Sequence, residues 1–369
     1  MSKIPVVDLF AGAGGLGLGV LKAGGDLRLS VEISHIACET LRANTGFHTG
    51  EVLESDVRLL NGDDLRRLAG LGRHDPLIIA GGPPCQPFSK AAYWTDPGDY
   101  SKYRRARAQG KDARKPEPIS KPRPDTRRSL LWEFFRLIQE SRAEAFLFEN
   151  VPSILHPRNK ATFVNFKNTV ESAGFKTSLV KANAVEYGIP QKRERVFLLA
   201  IRGEKPVVPE QTHAKDGLRH LYRQPPVTTG EVLEPFGGEE YFEPEEVVAG
   251  KWAEHLRSVP PGMNYKALTE WAGHPNPTFV AETRFWSFLL KLHPELPSWT
   301  ITATPGPWTG PFHWGSRRLR TPELAALQGF PAGYSFKGNR RERVCQIGNA
   351  IPPLLAAKML EGVIKTMNG

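Results

Sequence analysis

Five short apolar runs constrain this chain most: Pro5 to Phe10, Leu27 to Ile33, Leu77 to Ala80, Ala145 to Phe148 and Val196 to Ile201. Apolar character without polar alternation belongs to strands covered on both faces, as in a parallel sheet. Helical spacing lies between the runs. Phe163, Phe166, Val170 and Ala173 recur every three or four residues, and Gly174 follows as a helix stop. Strands alternating with helices predict an α/β chain built on a doubly wound, mostly parallel sheet. Ligands of such sheets bind beyond the carboxyl ends of the strands, so the loops at Ala11, Glu32, Gly81 and Glu149 are expected to share one crevice.

After Arg202 the texture changes to proline, glycine and tryptophan with weak periodicity, through Trp252, Trp271, Trp286, Trp299, Trp308 and Trp314. A second, smaller, irregular domain is expected over 204–336. The sheet domain then comprises 1–203 plus 337–369, because Ile347 to Met367 regains helical spacing after Pro352-Pro353 and is expected to pack back on the sheet.

At 369 residues and 40% hydrophobic, the chain can bury cores for two such domains. Met1-Ser2-Lys3-Ile4-Pro5 does not resemble a signal peptide, and no apolar stretch is long enough to cross a bilayer. A soluble cytoplasmic protein is expected. The three cysteines, Cys38, Cys85 and Cys345, are dispersed and form no C-x-x-C pair, which argues against a disulfide framework and against zinc; no metal is expected. Charge is uneven. Of a net +10, most lies between Lys102 and Arg128, where eleven lysines and arginines face three acids. Such a stretch marks a polyanion partner or a solvated loop. Glu231 to Glu246 holds seven glutamates and no basic residue, and is read as a solvated surface.

Asp8-Leu9-Phe10-Ala11-Gly12-Ala13-Gly14-Gly15-Leu16-Gly17 follows the first strand and opens a helix, and its glycines let backbone approach a ligand. Glu32, ending the second strand, is placed to accept from ribose hydroxyls, and Asp56, ending the third, from an adenine amino group. Together they suggest a nucleoside cofactor, NAD or S-adenosylmethionine. Cys85 sits in Gly81-Gly82-Pro83-Pro84-Cys85-Gln86-Pro87-Phe88-Ser89, whose prolines fix the direction of the sulfur. It is a nucleophile or a small buried apolar group. Glu149, in Glu149-Asn150-Val151-Pro152, ends another strand; burial would raise its pKa toward proton donation, unless it caps a helix or pairs with an arginine. Arg193 and Arg195 alternate before the last strand, suited to a phosphate, a carbonyl oxygen or a salt bridge.

These blocks run in a familiar order. With Arg318-Leu319-Arg320-Thr321-Pro322-Glu323, Gly329-Phe330-Pro331 and Gln346-Ile347-Gly348-Asn349-Ala350-Ile351-Pro352, the chain resembles the cytosine-5 DNA methyltransferases of bacterial modification systems over nearly its whole length. The resemblance implies a Rossmann-like methyltransferase fold and S-adenosylmethionine as cofactor. It implies that Cys85 adds to carbon 6 of cytosine while Glu149 engages ring nitrogen 3, that Arg195 contacts the base carbonyl or its phosphate, and that Arg193 supports the site. The cofactor positions carry over to Phe10, Ala11, Gly12, Gly14, Glu32, Ile33, Asp56, Val57, Pro83 and Asn349. Residues 204–336 correspond to a target recognition domain.

The partner implied is double-stranded DNA, with the cytosine flipped from the stack. Gln86, Ser89 and Thr300 are expected at DNA. The interval from Ser89 to Asp125 is longer than the family's usual mobile loop, so residues 90–128 read as a basic loop insertion in which Lys102, Arg104, Arg105 and Arg107 clamp phosphates. A monomer is expected, with a restriction endonuclease of the same specificity as companion. A sister branch that modifies transfer RNA carries threonine at the place of Ser89 and lacks a large recognition region, so an RNA substrate is the alternative, as is a non-catalytic DNA-binding module.

Overall fold

The computed structural model describes residues 3–88, 99–116, 125–215 and 222–368. Seven strands form one sheet: β1 (Pro5–Leu9), β2 (Asp26–Glu32), β3 (Glu51–Glu54), β4 (Ile78–Gly81), β5 (Ala145–Asn150), β6 (Phe175–Asn183) and β8 (Glu194–Arg202). Their order is β3-β2-β1-β4-β5-β8-β6. The first five pair in parallel. β8 runs antiparallel to both β5 and β6, whereas the sequence reading expected Val196 to Ile201 to be parallel. An apolar run records burial on two faces and carries no direction. The turn from β6 to β8 contains no crossover helix, so the chain can only return antiparallel.

The sheet is covered on both faces, which is why its strands read as unbroken apolar runs. Along β5, Phe146 and Phe148 join one core with Phe134 and Phe166. Ala145 and Leu147 join the opposite core, with Leu16, Val20, Leu355, Met359 and Leu360. That second core places the last helix, α11 (Pro353–Asn368), against the first, α1 (Gly15–Lys22). Contact is close because Gly19 offers no side chain; a Cβ there would lie 2.5 Å from the Ala356 Cβ.

Among the described residues between Gly203 and Leu319 the chain is mostly turns and short helices, and this region is tied to the sheet domain by a two-stranded ribbon of β7 (Gln191–Lys192) and β9 (Ser298–Trp299). It has an aromatic core of its own around Tyr265, Phe279 and Phe288. A further cluster packs Ala13 and Leu18 against Ile301, Leu327, Phe330, Tyr334 and Ile347, so residues on both sides of position 336 share one core.

Two readings of charged segments change. Within the basic insertion, expected as a loop, Asp99–Ala108 forms a helix, α4. Its alanines and arginines favour helix, and Asp99 in the first turn with Arg105 and Arg107 in the last suits the helix dipole. The acidic stretch is a solvated surface only in part: Glu231, Glu234, Glu239, Glu240 and Glu245 are exposed, but Glu243 and Glu246 turn inward. Glu246, 7% exposed, pairs with Arg320 at 2.5 Å, and Glu243 pairs with Arg340 and accepts from the Thr321 amide at 3.0 Å. These partners lie some seventy to a hundred positions downstream in sequence, beyond the reach of any local pattern.

Candidate active site

The expected crevice is present as one cavity of about 450 Å³ at the carboxyl ends of β1, β2, β4 and β5. A cavity of this size suits a small-molecule ligand. Its glycine-loop end is formed by Phe10, Ala11 and Gly12, with Glu32 and Ile33 after β2, and Asp56 and Val57 after β3. Asn349, near the end of α10 (Arg340–Asn349), closes one side.

Glu32 organises that end. One carboxylate oxygen accepts from the Gly12 amide at 2.7 Å and the other from the Ile33 and Ser34 amides at 2.9 and 2.8 Å. The carboxylate thereby fixes the loop, at φ +54° for Gly12, with open space where a Cβ would stand. Asp56 accepts from the Arg58 guanidinium and amide, which hold its carboxyl below the ordinary range. Beneath the loop, burial and the nearby Glu32 charge push the carboxyl of Asp8 well up. These carboxylates and amides, with the apolar Phe10, Ile33 and Val57, fit a nucleoside carrying a charged tail.

The other end holds the residues expected to react. Cys85, half-buried, and Gln86 lead the loop after β4; Glu149 lies at the end of β5 and Arg195 at the start of β8. Arg195 Nε sits 2.7 Å from Glu149 Oε1, so the carboxylate is paired as well as buried. Burial raises the Glu149 pKa against the pull of Arg195 and Arg193. Burial and the Glu149 charge likewise raise the Cys85 thiol, opposed by the same two arginines. The free protein thus holds Cys85 as a thiol next to a partly compensated acid.

The loop that carries Cys85 is pinned from three sides. Asn150 Nδ2 donates to the Pro83 carbonyl at 3.2 Å, Asn159 Nδ2 to that of Phe88 at 3.3 Å, and Arg128 Nη2 to that of Pro87 at 2.5 Å. Gly82 lets Glu149 approach, since a Cβ there would lie 2.9 Å from Glu149 Oε2. Reading the sequence missed Asn150, Asn159 and Arg128 as supports. Asn150 stands next to Glu149, and that adjacency was the available signal.

Three expected positions move. Arg193 is 1% exposed and does not line the cavity; it donates to the carbonyls of Ile301, Gly348 and Ala350, joining three segments below the site. Gly14 also faces away from the cavity, at φ +85°, because a side chain there would strike Leu41 and Tyr334, each 2.7 Å from a Cβ. Thr300 donates its hydroxyl proton to the Lys192 carbonyl at 2.6 Å, which fastens the irregular region to the strand leading into Arg195. Lys102, Arg104, Arg105 and Arg107 all lie on α4, outside this cavity. Ser89 lies outside the described residues. Among the described residues no cluster of side chains suits a metal ion, and no helix is long and apolar enough to cross a membrane.

Residues 4–365 match the family model of C-5 cytosine-specific DNA methylases. The chain belongs to this family. The methylase is 33% identical to the Type II methyltransferase M.SacI of Streptomyces achromogenes, over 99% of this chain and 94% of that one. It is 30% identical to M1.HphI of Haemophilus parahaemolyticus, over 98% and 87%. Among solved structures, its fold matches that of an Escherichia coli prophage protein described as a DNA modification methyltransferase, with a TM-score of 0.63, 23% identity and full coverage of both chains. It also matches S. pombe Dnmt2, with a TM-score of 0.60, 14% identity and full coverage of both. The methylase is therefore a C-5 cytosine DNA methyltransferase of the Type II modification class on a Rossmann-like sheet, and methyl-donor use follows from the family.

Proposed function

We propose that this chain transfers a methyl group from S-adenosylmethionine to carbon 5 of a flipped-out cytosine in one duplex sequence, as the modification partner of a restriction endonuclease. The observation that carries this reading is the single cavity joining the glycine loop at Gly12 to the pair Cys85 and Glu149. It works as a monomer, since one chain supplies both ends.

Phe10, Ala11, Gly12, Ile33, Val57, Pro83 and Asn349 would hold the donor's adenosine and tail, with Glu32 and Asp56 at its polar groups. The donor supplies an electrophilic methyl carbon on a sulfonium. The chain's own residues make carbon 5 reactive. The Cys85 sulfur adds to carbon 6 of cytosine while Glu149 gives or shares a proton at ring nitrogen 3, so the electron pair displaced from the ring double bond collects at carbon 5. The thiol proton passes to solvent as the sulfur adds; burial and the Glu149 charge oppose its loss, and Arg195 and Arg193 favour it. Once carbon 5 has used that electron pair to take the methyl group, loss of the carbon 5 proton expels the sulfur, ring nitrogen 3 returns its proton to Glu149, and the ring double bond is restored.

Arg195, which pairs with Glu149, meets the base carbonyl or its phosphate, and Arg193 supports the site through the backbone carbonyls it joins. Gln86, Ser89 and Thr300, with Arg104 and Arg105 on α4, contact DNA, and residues 204–336 select the sequence by side chains reaching base edges. Genomic DNA substituted with 5-fluorocytosine tests the reading, because fluorine at carbon 5 cannot leave as a proton. A denaturant-resistant adduct with the wild-type chain, absent for Cys85→Ser, is expected; free protein in both overturns the mechanism.

A further inference from the structure

A second groove, of about 420 Å³, lies away from the active site between α4 and the irregular region. Arg104, Arg105 and Gln109 form one wall; Thr283, Arg284 and Phe285 form the other. Three arginines from two segments far apart in sequence thus line one groove, and no carboxylate lines it among the described residues. The two walls differ in rigidity. Arg284 is anchored: its carbonyl accepts from the Tyr265 hydroxyl at 3.0 Å, and its guanidinium lies over the rings of Trp252 and Phe288 at 5.7 and 5.6 Å. Tyr265 and Phe288 belong to the aromatic core of the irregular region. By contrast, α4 buries no residue and so gains little from apolar packing.

We propose that this groove is a phosphate clamp for the backbone of duplex DNA, closed by α4 against the fixed arginine of the irregular region. The inference rests on the DNA-methylating reading and divides the basic segment. Contact falls to Arg104 and Arg105, with Arg284 as a residue that sequence gave no reason to select. Lys102 and Arg107 do not line the groove, and Lys102 is already paired with Asp99 at 3.2 Å. Guanidinium groups suit this task, because their planar forks meet two phosphate oxygens at once. A strand held there ties the helix that follows the Cys85 loop to the region that reads the DNA. Docking on the right surface then favours the loop's working position.

The test is the salt dependence of duplex binding by the full chain, read from the anisotropy of a fluorescein-labelled duplex. Each lost phosphate contact lowers the slope of log affinity against log salt by about one. Arg284→Gln and Arg104→Gln/Arg105→Gln are expected to flatten the slope, Arg284→Lys to retain most of it, and Lys102→Gln and Arg107→Gln to change it by less than half as much. Groove variants with the wild-type slope, or control variants that flatten it equally, overturn the clamp. A wild-type chain that binds DNA with this pattern but transfers no methyl group overturns the enzymatic reading instead, so the two failures are distinguishable.

Discussion

Cys85 and Glu149 form one electrostatic unit. Each is raised by burial, the Glu149 charge raises the thiol further, and Arg195 with Arg193 draws both down. Because the thiol lies above its ordinary value, the thiolate fraction grows as pH rises, and Cys85 of the free protein is expected to react slowly with iodoacetamide at neutral pH. Glu149→Gln removes the raising charge, so the pH midpoint of alkylation should move down; Arg195→Gln removes a lowering charge and should move it up. Alkylation rates followed against pH check both directions, and equal midpoints in all three proteins would refute the coupling. At this scale the sequence was informative where chemistry is local. Cys85, Glu149 and Glu32 stand at or just after strand ends that apolar runs already mark, whereas Asp56 follows a short strand with no such run. Arg128 and Asn159 were not legible, because their roles consist of reaching backbone carbonyls of a loop some forty or seventy positions earlier.

Among the elements, the acidic strap shows what pattern reading loses. Seven glutamates together look solvated, yet Glu246 is buried against Arg320 and Arg317, and these ion pairs fasten the irregular region to α9 (Thr321–Gln328) and α10. Its pairing with arginine holds the Glu246 carboxyl below its ordinary value. The stability it contributes is therefore complete above the unfolded value near 4.5 and is lost as pH falls through the lower folded value. Removing one partner of a buried pair leaves the other charge uncompensated, so Glu246→Ala should cost about 3–5 kcal/mol, measured by urea unfolding at neutral pH. A loss within experimental error would show the strap to be surface decoration. β6 escaped notice for a different reason: it is an edge strand, its residues largely alternate between buried and less buried, and it lacks the continuous apolar run of the central strands.

For the whole molecule, order along the chain and order in space diverge. The last helix closes over the first, so the fold is completed only when the carboxyl-terminal segment has returned. Leu360 is fully buried in that contact, and Leu360→Ala is expected to destabilise the protein by about 2–5 kcal/mol in thermal or urea unfolding; a change under about 1 kcal/mol would place the helix outside the cooperative unit. The doubly wound sheet and the return of this helix were both legible, since apolar periodicity survives without knowledge of partners. The antiparallel course of β8 and the core shared across position 336 were not, because both depend on what packs against what. The central claim is that this arrangement makes Cys85 the nucleophile of a sequence-specific cytosine methyltransferase. Expression in a host without cytosine methylation, followed by bisulfite mapping of its DNA, tests it most directly. The account predicts 5-methylcytosine at one short recurring sequence with the wild-type chain and none with Cys85→Ser; wild-type DNA with no modified cytosine above that control would contradict it.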